Sequence, residues 1–364
     1  MNILDIACQT YRVPFGHRFS TAHGTLAVRE GAILTLTTTQ TVIGVGEIAP
    51  FPGMSKETLT EALHALNTFI PRLHNLTLEN ALTVLERERE TLPPSTLCGI
   101  EMALLDALER TFVENRFIDS SSRKNTQSIA VNAVIGARTT SDAIHAAVQV
   151  KDNGFSCVKL KVGVCDSVSQ EIARIAAVRD ALGSDIALRL DANEGWTFEE
   201  AHTVLLECAP FNIQYIEQPL PAHHIEGMRR LRKMVPMAVA ADEAVRDIQS
   251  ARLLIEREAA DVLILKPQLV GGLRACRQIV EETARRGITC VLTTTIESGV
   301  SVAATLKLAS TLPEITLACG LGTLPLLVDD LICEHLSIKN GSMNVLDGPG
   351  WGVTLDEGAM HKYS

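Results

Sequence analysis

Acidic and basic side chains recur at nearly even spacing in the second half of the chain, each at or just after the end of a short segment with strand propensity. They are Asp191, Glu217, Asp242 and Lys266, which lie 26, 25 and 24 residues apart. One strand and one helix fill such an interval, so these side chains are predicted to meet at one edge of a parallel sheet. Three neighbouring carboxylates repel one another and need a cation to stay ionised together. Ligation by oxygen alone favours a hard ion, Mg²⁺ ahead of Mn²⁺ or Ca²⁺.

Two lysines end an earlier predicted strand, in Val158-Lys159-Leu160-Lys161. Because alternate residues of a strand share a face, both lysines are predicted to point inward, away from the two apolar residues. Burial and mutual repulsion are expected to lower the pKa values of such a pair, so that a lysine becomes a usable base near neutral pH. With Lys266 across the site, the arrangement suits abstraction of a proton beside a carboxylate, with the metal and a cationic lysine holding the enediolate.

Other interpretations of these residues stay open. Each carboxylate could cap a helix or pair with an arginine, and Lys159 with Lys161 could be a surface pair. Lys266 could form a Schiff base with a carbonyl substrate, as in a barrel lyase, although that chemistry leaves the three spaced carboxylates unexplained. A non-catalytic binding protein is a further alternative, but such a protein would readily have lost one of these groups, and none is missing.

The elements that must position these residues belong to a folded chain of 364 residues, with 46% hydrophobic and 21% charged residues. This composition excludes a disordered or collagen-like protein. A net charge of −10 argues against binding to nucleic acid or to an anionic membrane. No apolar run is long enough to span a bilayer, and the N-terminus does not have the pattern of a signal peptide. Nine cysteines without a CxxC pair indicate reduced thiols, so a cytoplasmic location is expected.

The chain divides by pattern into an N-terminal α+β part and a longer α/β part. Strands are predicted over Ala32–Thr38 and Val42–Glu47, a helix over Leu97–Phe112, and a polar linker over Asp119–Asn125. From Gln127 onward, segments with strand propensity alternate with helical stretches. These segments are Ile129–Val134, Cys157–Val162, Ile186–Leu190, Ile213–Ile216, Met237–Ala240, Asp261–Leu265, Thr289–Thr294 and Glu314–Ala318.

Eight such strands with intervening helices predict a parallel βα barrel, which is an α/β fold. A doubly wound sheet is the competing fold. It would require a glycine-rich phosphate turn after its first strand, and Gly44-Val45-Gly46 lacks the third glycine of that motif.

As an ordered set, the motifs of the site resemble those of the enolase superfamily, in its muconate-lactonising subgroup, which uses a Lys or His base with Mg²⁺. The matching pieces are Lys159-x-Lys161, Asp191-x-Asn193, Glu217-Gln218-Pro219, Asp242-Glu243 and Lys266-Pro267. The resemblance implies a modified TIM barrel of the (β/α)7β type with an N-terminal α+β capping domain. It implies a cap over residues 1–125, a barrel over 126–325, and a C-terminal segment, 326–364, that packs back on the cap.

The subgroup contains o-succinylbenzoate synthases, dipeptide epimerases, N-succinylamino acid racemases and muconate cycloisomerases. Dipeptide epimerases usually carry Asp-x-Asp at the last strand, where this chain has Cys319-Gly320-Leu321-Gly322-Thr323. The stretches Leu265–Leu273 and Thr294–Gly299 are similar to those of o-succinylbenzoate synthases. The resemblance therefore implies a lyase that carries out the syn dehydration of a succinyl-hydroxy-cyclohexadiene carboxylate in menaquinone biosynthesis. N-succinylamino acid racemase or dipeptide epimerase is the alternative within the family.

The resemblance also implies roles for individual residues. Asp191, Glu217 and Asp242 would hold Mg²⁺, and Asn193 and Glu243 would support them. Lys161 would take the α-proton, Lys266 would stabilise the enediolate from the other face, and Lys159 would lie near the substrate carboxylate. For substrate contacts we expect Arg18, Ser298, Gly320 and Gly322. The partner is then a small-molecule carboxylate, and the oligomeric state stays open.

Overall fold

The N-terminal part of the protein is an antiparallel sheet covered by three helices. A computed structural model describes residues 1–21, 24–111 and 127–364. Its first elements are β1 (Ile3–Thr21), β2 (Gly24–Thr38), β3 (Ile43–Ile48), α1 (Leu59–Phe69), α2 (Leu78–Arg87) and α3 (Pro94–Thr111). The two strands predicted in this part are confirmed, and the predicted helix is confirmed up to Thr111. The predicted linker over 119–125 and the boundary between residues 125 and 126 lie outside the described residues.

Helix α3 packs unusually close to the sheet, and it is buried along most of its length. Gly44 and Gly46 of β3 allow this approach, because a methyl group at either position would overlap with the α3 backbone, at Ala103 O and Gly99 O. The Gly-Val-Gly segment is therefore a helix-packing surface within a strand and does not form a phosphate turn. The N-terminal sheet with its helices over 1–111 is called the cap below.

A curved parallel sheet follows, with strands in the order β11-β10-β9-β8-β7-β6-β5. Strands β4 to β11 span Ser128–Ala130, Ala133–Ile135, Cys157–Lys161, Ala187–Asp191, Ile213–Glu217, Ala238–Ala241, Val262–Leu265 and Thr289–Leu292. Helices α4 to α11 span Thr140–Asp152, Val168–Leu182, Phe198–Glu207, Ile225–Met234, Ile248–Glu256, Pro267–Val270, Leu273–Ala284 and Gly299–Ser310. Leu188 and Leu190 of β7 are fully buried, and the alternate positions carry Arg189 and Asp191, as the period of a strand requires.

Two isolated parallel bridges close this sheet into a barrel, Val131 with Cys319 and Thr293 with Gly320. Cys319 and Gly320 thus lie between Val131, beside the first barrel strand, and Thr293, beside the last. This closure confirms the predicted α/β barrel and excludes a doubly wound sheet. The predicted eighth strand, Glu314–Ala318, ends before both bridging residues. The predicted first strand is divided in two, because β4 leaves the barrel and pairs with the C-terminal strand β13 (Ser342–Asn344) instead.

The C-terminal segment contains β12 (Ile338–Lys339), β13 and α12 (Glu357–Lys362). It makes hydrogen bonds with both α3 and β3 of the cap. The backbone N–H of Trp351 donates to Asp106 Oδ1 at 2.7 Å, and its indole N–H donates to the Val45 carbonyl at 3.2 Å. Among the described residues, none of the helices is long and apolar enough to span a bilayer.

Candidate active site

The charged residues of the site stand at the ends of five neighbouring strands, β6 to β10. Lys161 is paired with Asp191, and Asp191 is paired with Glu217, in the register of β6, β7 and β8. Asp242 follows β9 by one residue, and Lys266 follows β10 by one residue. Since the carboxyl ends of parallel strands meet at one rim of a barrel, the three acids form a row. The row is flanked on one side by β6, which carries Lys159 and Lys161, and on the other by β10, which precedes Lys266.

The lysines of the site contact its carboxylates directly. Lys159 Nζ lies 3.0 Å from Asp191 Oδ2 and 2.8 Å from Glu217 Oε1. Lys161 Nζ lies 2.6 Å from the same Asp191 oxygen. On the other flank, Lys266 Nζ donates to both carboxylate oxygens of Asp242, at 2.6 Å to Oδ2. The predicted acids and lysines are therefore brought together in one cluster.

Burial and mutual charge shift the pKa values of this cluster strongly. Burial alone would lower the pKa of Lys159, but the charges of Asp191 and Glu217 outweigh it and raise that pKa well above the ordinary value. Burial would likewise lower the pKa of Lys266, but the charges of Asp242 and Glu243 outweigh it and raise that pKa. The expectation of a lowered pKa is thus wrong for Lys159. The physical reason is that its ammonium lies between two carboxylates, whose attraction exceeds the repulsion from a neighbouring lysine.

The carboxylates differ from one another for the same reason. Two lysine ammonium groups overcome the effect of burial on Asp191 and hold its pKa below the ordinary value. Burial, and then the negative charge of Asp191, raise the pKa of Glu217 to about 8. Glu217, in the middle of the row, is therefore the acid whose charge is least compensated by the lysines.

Two further polar residues extend the cluster toward its rim. Asn193 Oδ1 accepts a hydrogen bond from Lys161 Nζ at 2.6 Å, and Asn193 Nδ2 donates to Glu243 Oε1 at 3.0 Å. Glu243 Oε2 is buried and has no hydrogen-bond partner among the described residues. Asn193 thus links the end of β7 to the residue that follows Asp242.

The strand-end loops are held by buried side chains to which the sequence assigned no role. Gln218 Oε1 accepts from the backbone N–H groups of Asp242 and Ala244, at 2.9 and 3.2 Å. Arg174 Nη2 of α5 donates to the Lys161 carbonyl at 2.5 Å. Gln218 could have been found from its position directly after Glu217. Arg174 carries no local signal, because its target lies 13 residues away and on another element.

The four residues predicted to contact the substrate differ in their burial and in their contacts. Arg18 is exposed on β1. Ser298 is buried, and its hydroxyl donates to Glu47 Oε2 of the cap at 2.8 Å. The amide of Gly320 donates to the Leu292 carbonyl at 2.9 Å, within the barrel closure. Gly322 lies against Ile338, so that a methyl group there would be 2.9 Å from Ile338 Cδ1. Substrate binding by these four residues stays a prediction.

The donor set of the three acids fits a hard divalent cation in its chemistry. All three side chains offer oxygen only, and each is nearly completely buried. Among the described residues, no three His, Cys, Asp or Glu side chains converge closely enough to hold a metal ion in this arrangement. The carboxylate oxygens contact lysine ammonium groups instead. Burial, and then the negative charge of Asp191, raise the pKa of Glu217, and a cation would neutralise that charge.

Comparison with protein families gives two matches. Residues 142–359 match the family described as enolase C-terminal domain-like, and residues 5–107 match the family described as MenC, N-terminal domain. An o-succinylbenzoate synthase from Thermobifida fusca is 34% identical over 219 residues, which are 60% of this chain and 67% of that protein.

Other relatives align along the whole chain. An N-succinyl-L-Arg/Lys racemase from Bacillus cereus is 25% identical over 366 residues, covering 100% of this chain and 98% of the relative. Its solved structure superposes with a TM-score of 0.91 at 24% identity, covering 100% and 98% of the two chains. A dipeptide epimerase from Enterococcus faecalis, solved with Mg and a dipeptide, superposes with a TM-score of 0.89 at 24% identity, covering 97% and 100%.

Proposed function

Because the chain belongs to the enolase superfamily, we propose that it is a Mg²⁺-dependent o-succinylbenzoate synthase. The reaction is the syn dehydration of a cyclohexadiene that carries a carboxylate, a hydroxyl group and a succinyl group. The family membership makes the chain an enzyme and sets aside the non-catalytic alternative. The observation that carries the proposal is the order lysine, three carboxylates, lysine across five neighbouring strands. The matches to the MenC domain and to the Thermobifida fusca enzyme support this activity within the family.

In this proposal Asp191, Glu217 and Asp242 would hold the metal ion. A bound Mg²⁺ would act as a Lewis acid toward the substrate carboxylate and so favour loss of the adjacent proton. The burial of all three acids keeps the surroundings low in dielectric constant, which strengthens every charge interaction there. Asn193 and Glu243 support the row of acids through their mutual hydrogen bond.

Lys161 carries the proton transfers, and Lys266 stabilises the charge that develops. Lys161, once it has given up its own ammonium proton, takes the proton beside the carboxylate, and the electron pair of that C–H bond enters the enediolate. Lys266, held cationic by Asp242, stabilises the enediolate charge from the opposite flank. The protonated Lys161 then returns its proton to the departing hydroxyl group, so that the C–O bond breaks, water leaves and the ring becomes aromatic. The positive charge of Lys159 lies near the substrate carboxylate throughout.

A second candidate function is racemisation of N-succinylamino acids. Its specific support is the Bacillus cereus racemase, which aligns with 100% of this chain. Racemisation needs a proton donor or acceptor on each face of the substrate, and Lys161 with Lys266 could supply them. Both candidates begin with the same proton abstraction, so the site geometry is compatible with either.

The remaining alternatives have less support. Dipeptide epimerases of the subgroup usually carry carboxylates at the last strand, where this chain has Cys319 to Thr323. A Schiff-base lyase would use Lys266 as a nucleophile, yet its ammonium contacts both oxygens of Asp242. The cytoplasmic location and the oligomeric state stay predictions.

The proposal is tested by a spectrophotometric assay of the purified protein with Mg²⁺ and the cyclohexadiene substrate. We expect loss of the diene absorbance that depends on Mg²⁺ and is abolished in Lys161→Ala. Lys151→Ala, which changes an exposed lysine on α4, should retain the activity. If the wild-type chain does not turn over the diene, the dehydratase assignment is wrong, and deuterium exchange at Cα of N-succinylamino acids and dipeptides would identify the substrate class.

A further inference from the structure

Lys266 is followed by a short and unusual segment. Helix α9 has only four residues, Pro267–Val270, and its first turn is closed by the Lys266 carbonyl, which accepts from Leu269 N–H at 2.9 Å and Val270 N–H at 3.0 Å. Gly271 and Gly272 then have φ values of +84° and +119°, which turn the chain sharply into α10. A single helical turn between a strand and two glycines has little intrinsic stability, so its orientation depends on contacts with other elements.

The cap supplies those contacts, beginning with Gln268. The Gln268 side-chain amide donates to the Glu47 carbonyl at 2.8 Å, and its oxygen accepts from the Ala49 N–H at 3.1 Å. The side-chain amide of Gln268 thus pairs with backbone groups at the end of β3, as the backbone of a neighbouring strand would. Gln268 is 1% exposed, so neither backbone group has ready access to water in its place.

Two more cap side chains hold the remainder of the segment. Arg89 Nη1 donates to the Gly271 carbonyl at 2.9 Å. Glu101 Oε2 of α3 accepts from the Arg274 N–H at 3.1 Å, at the start of α10. Together with Gln268, these contacts attach both ends and the centre of the segment 266–274 to the cap.

Lys161 is held differently. Its carbonyl accepts from Arg174 Nη2 of α5, and Arg174 Nη1 donates to the Ala137 carbonyl at 2.9 Å. Arg174 is paired in turn with Glu171 of the same helix at 2.6 Å. These are contacts within the barrel. The two flanking lysines therefore rest on different supports.

From this difference we propose that the cap positions Lys266, with Gln268 as the positioning residue, whereas the barrel itself positions Lys161. The inference rests on the proposed function, because it assigns the two lysines to opposite faces of the substrate. Displacement of a reacting group by about 1 Å can cost about 100-fold in rate. Loss of the Gln268 contacts should therefore impair the Lys266 face selectively and leave the Lys161 face nearly unchanged.

The test compares α-proton exchange of N-succinyl-L-arginine and N-succinyl-D-arginine in D₂O with Mg²⁺. Lys161→Ala and Lys266→Ala first establish which enantiomer depends on which lysine. Gln268→Met keeps the chain length but removes the two hydrogen bonds to the cap and a longer one, of 3.3 Å, to Ser301 Oγ of α11. It should slow exchange about tenfold or more for the Lys266-dependent enantiomer. The other enantiomer should change by less than about twofold. Gln278→Met, on the partly exposed face of α10, is the matched control and should leave both rates unchanged.

Equal losses for both enantiomers, or no loss for either, would overturn the proposal. Backbone amide exchange, followed by mass spectrometry, tests it without any substrate: Gln268→Met should accelerate exchange over 266–273 and not over 157–163. If the wild-type chain exchanges neither succinylated enantiomer, that result counts against proton abstraction from such substrates. The amide exchange then decides the positioning of Lys266, and unchanged exchange over 266–273 would overturn it.

Discussion

Lys161 and Asp191 are direct partners in the register of two neighbouring strands, and Lys161 Nζ lies 2.6 Å from Asp191 Oδ2. One carboxylate therefore contacts the proposed base and also belongs to the proposed metal site. A shift of one residue in this register would turn every side chain of the strand to its other face. The proposed base and the proposed metal ligands are thus held in a common frame by backbone pairing as well as by charge.

Metal binding should depend on Glu217. At a Mg²⁺ concentration about 100 times the dissociation constant, a single site stabilises the folded state by about 2.7 kcal/mol, which raises Tm by several degrees. In Glu217→Gln this rise should be largely lost, because the central carboxylate of the row is gone. The measurement is thermal unfolding with and without Mg²⁺, with Glu226→Gln on the exposed start of α7 as the control. A full Mg²⁺ response in Glu217→Gln would contradict the assignment.

Gln218 should be required both for stability and for metal affinity. Its side-chain oxygen accepts from two buried backbone amides, those of Asp242 and Ala244. Gln218→Met leaves both amides without an acceptor, so we expect a loss of about 1–3 kcal/mol in the free energy of unfolding. Mg²⁺ affinity should fall about tenfold or more, since the loop that carries Asp242 loses its anchor. Urea unfolding and Mg²⁺ titration measure the two effects, and Gln249→Met, at an exposed position of α8, should show neither.

Glu101 should make the protein less stable as the pH rises. Burial raises the pKa of this carboxyl from 4.5 to about 7, against the hydrogen bond from the Arg274 amide. Between these two values the unfolded chain releases the proton while the folded chain retains it, so stability falls with rising pH and levels off above about 7. The full difference corresponds to about 3 kcal/mol.

Glu101→Gln removes this titration and keeps an oxygen acceptor for the Arg274 amide. Urea unfolding between about pH 5 and about pH 8 should therefore show a smaller decline in the variant than in the wild type. Glu90→Gln, at a nearby exposed position, should follow the wild type. Parallel curves for wild type and Glu101→Gln would show that Glu101 does not titrate in this range.

A side chain at Gly350 should destabilise the protein by steric overlap as well as by backbone strain. Comparison with Gly287 separates the two effects. Gly350 and Gly287 have nearly equal left-handed φ values of +66° and +69°. A methyl group at Gly350 would overlap with Asp106 Oδ1, whereas at Gly287 it would have no neighbouring atom within 4 Å. Both alanine variants lose about 1–2 kcal/mol from the backbone conformation. Gly350→Ala should lose about 1–3 kcal/mol more, because the carboxylate that holds Trp351 must move. Equal urea midpoints for the two variants would contradict this.

The chemistry-bearing residues were visible in the sequence because parallel strands repeat them at a regular interval. Asp191, Glu217, Asp242 and Lys266 each end a strand–helix unit, and a barrel brings all such ends to one rim. The cap strands and α3 followed from alternation and helical spacing in the same way. Local periodicity therefore determined the fold class and the identity of the central cluster.

Contacts between distant segments carried no such signal. The pKa of Lys159 rises because Asp191 and Glu217 come within 3.0 Å of its ammonium, a distance that depends on the strand register. The closing bridge at Cys319 and Gly320 depends on where the barrel ends meet, so the eighth strand was predicted too early.

The sequence by itself determined which groups could do chemistry and on which fold, since both are written in spacing along the chain. Only the tertiary structure decided what holds those groups in place. Gln268 is 219 residues from Ala49, and Ser298 is 251 residues from Glu47, yet each pair is joined by a buried hydrogen bond. Such pairs arise when the cap packs on the barrel and brings buried polar groups from distant segments within hydrogen-bond distance, which no local pattern can specify.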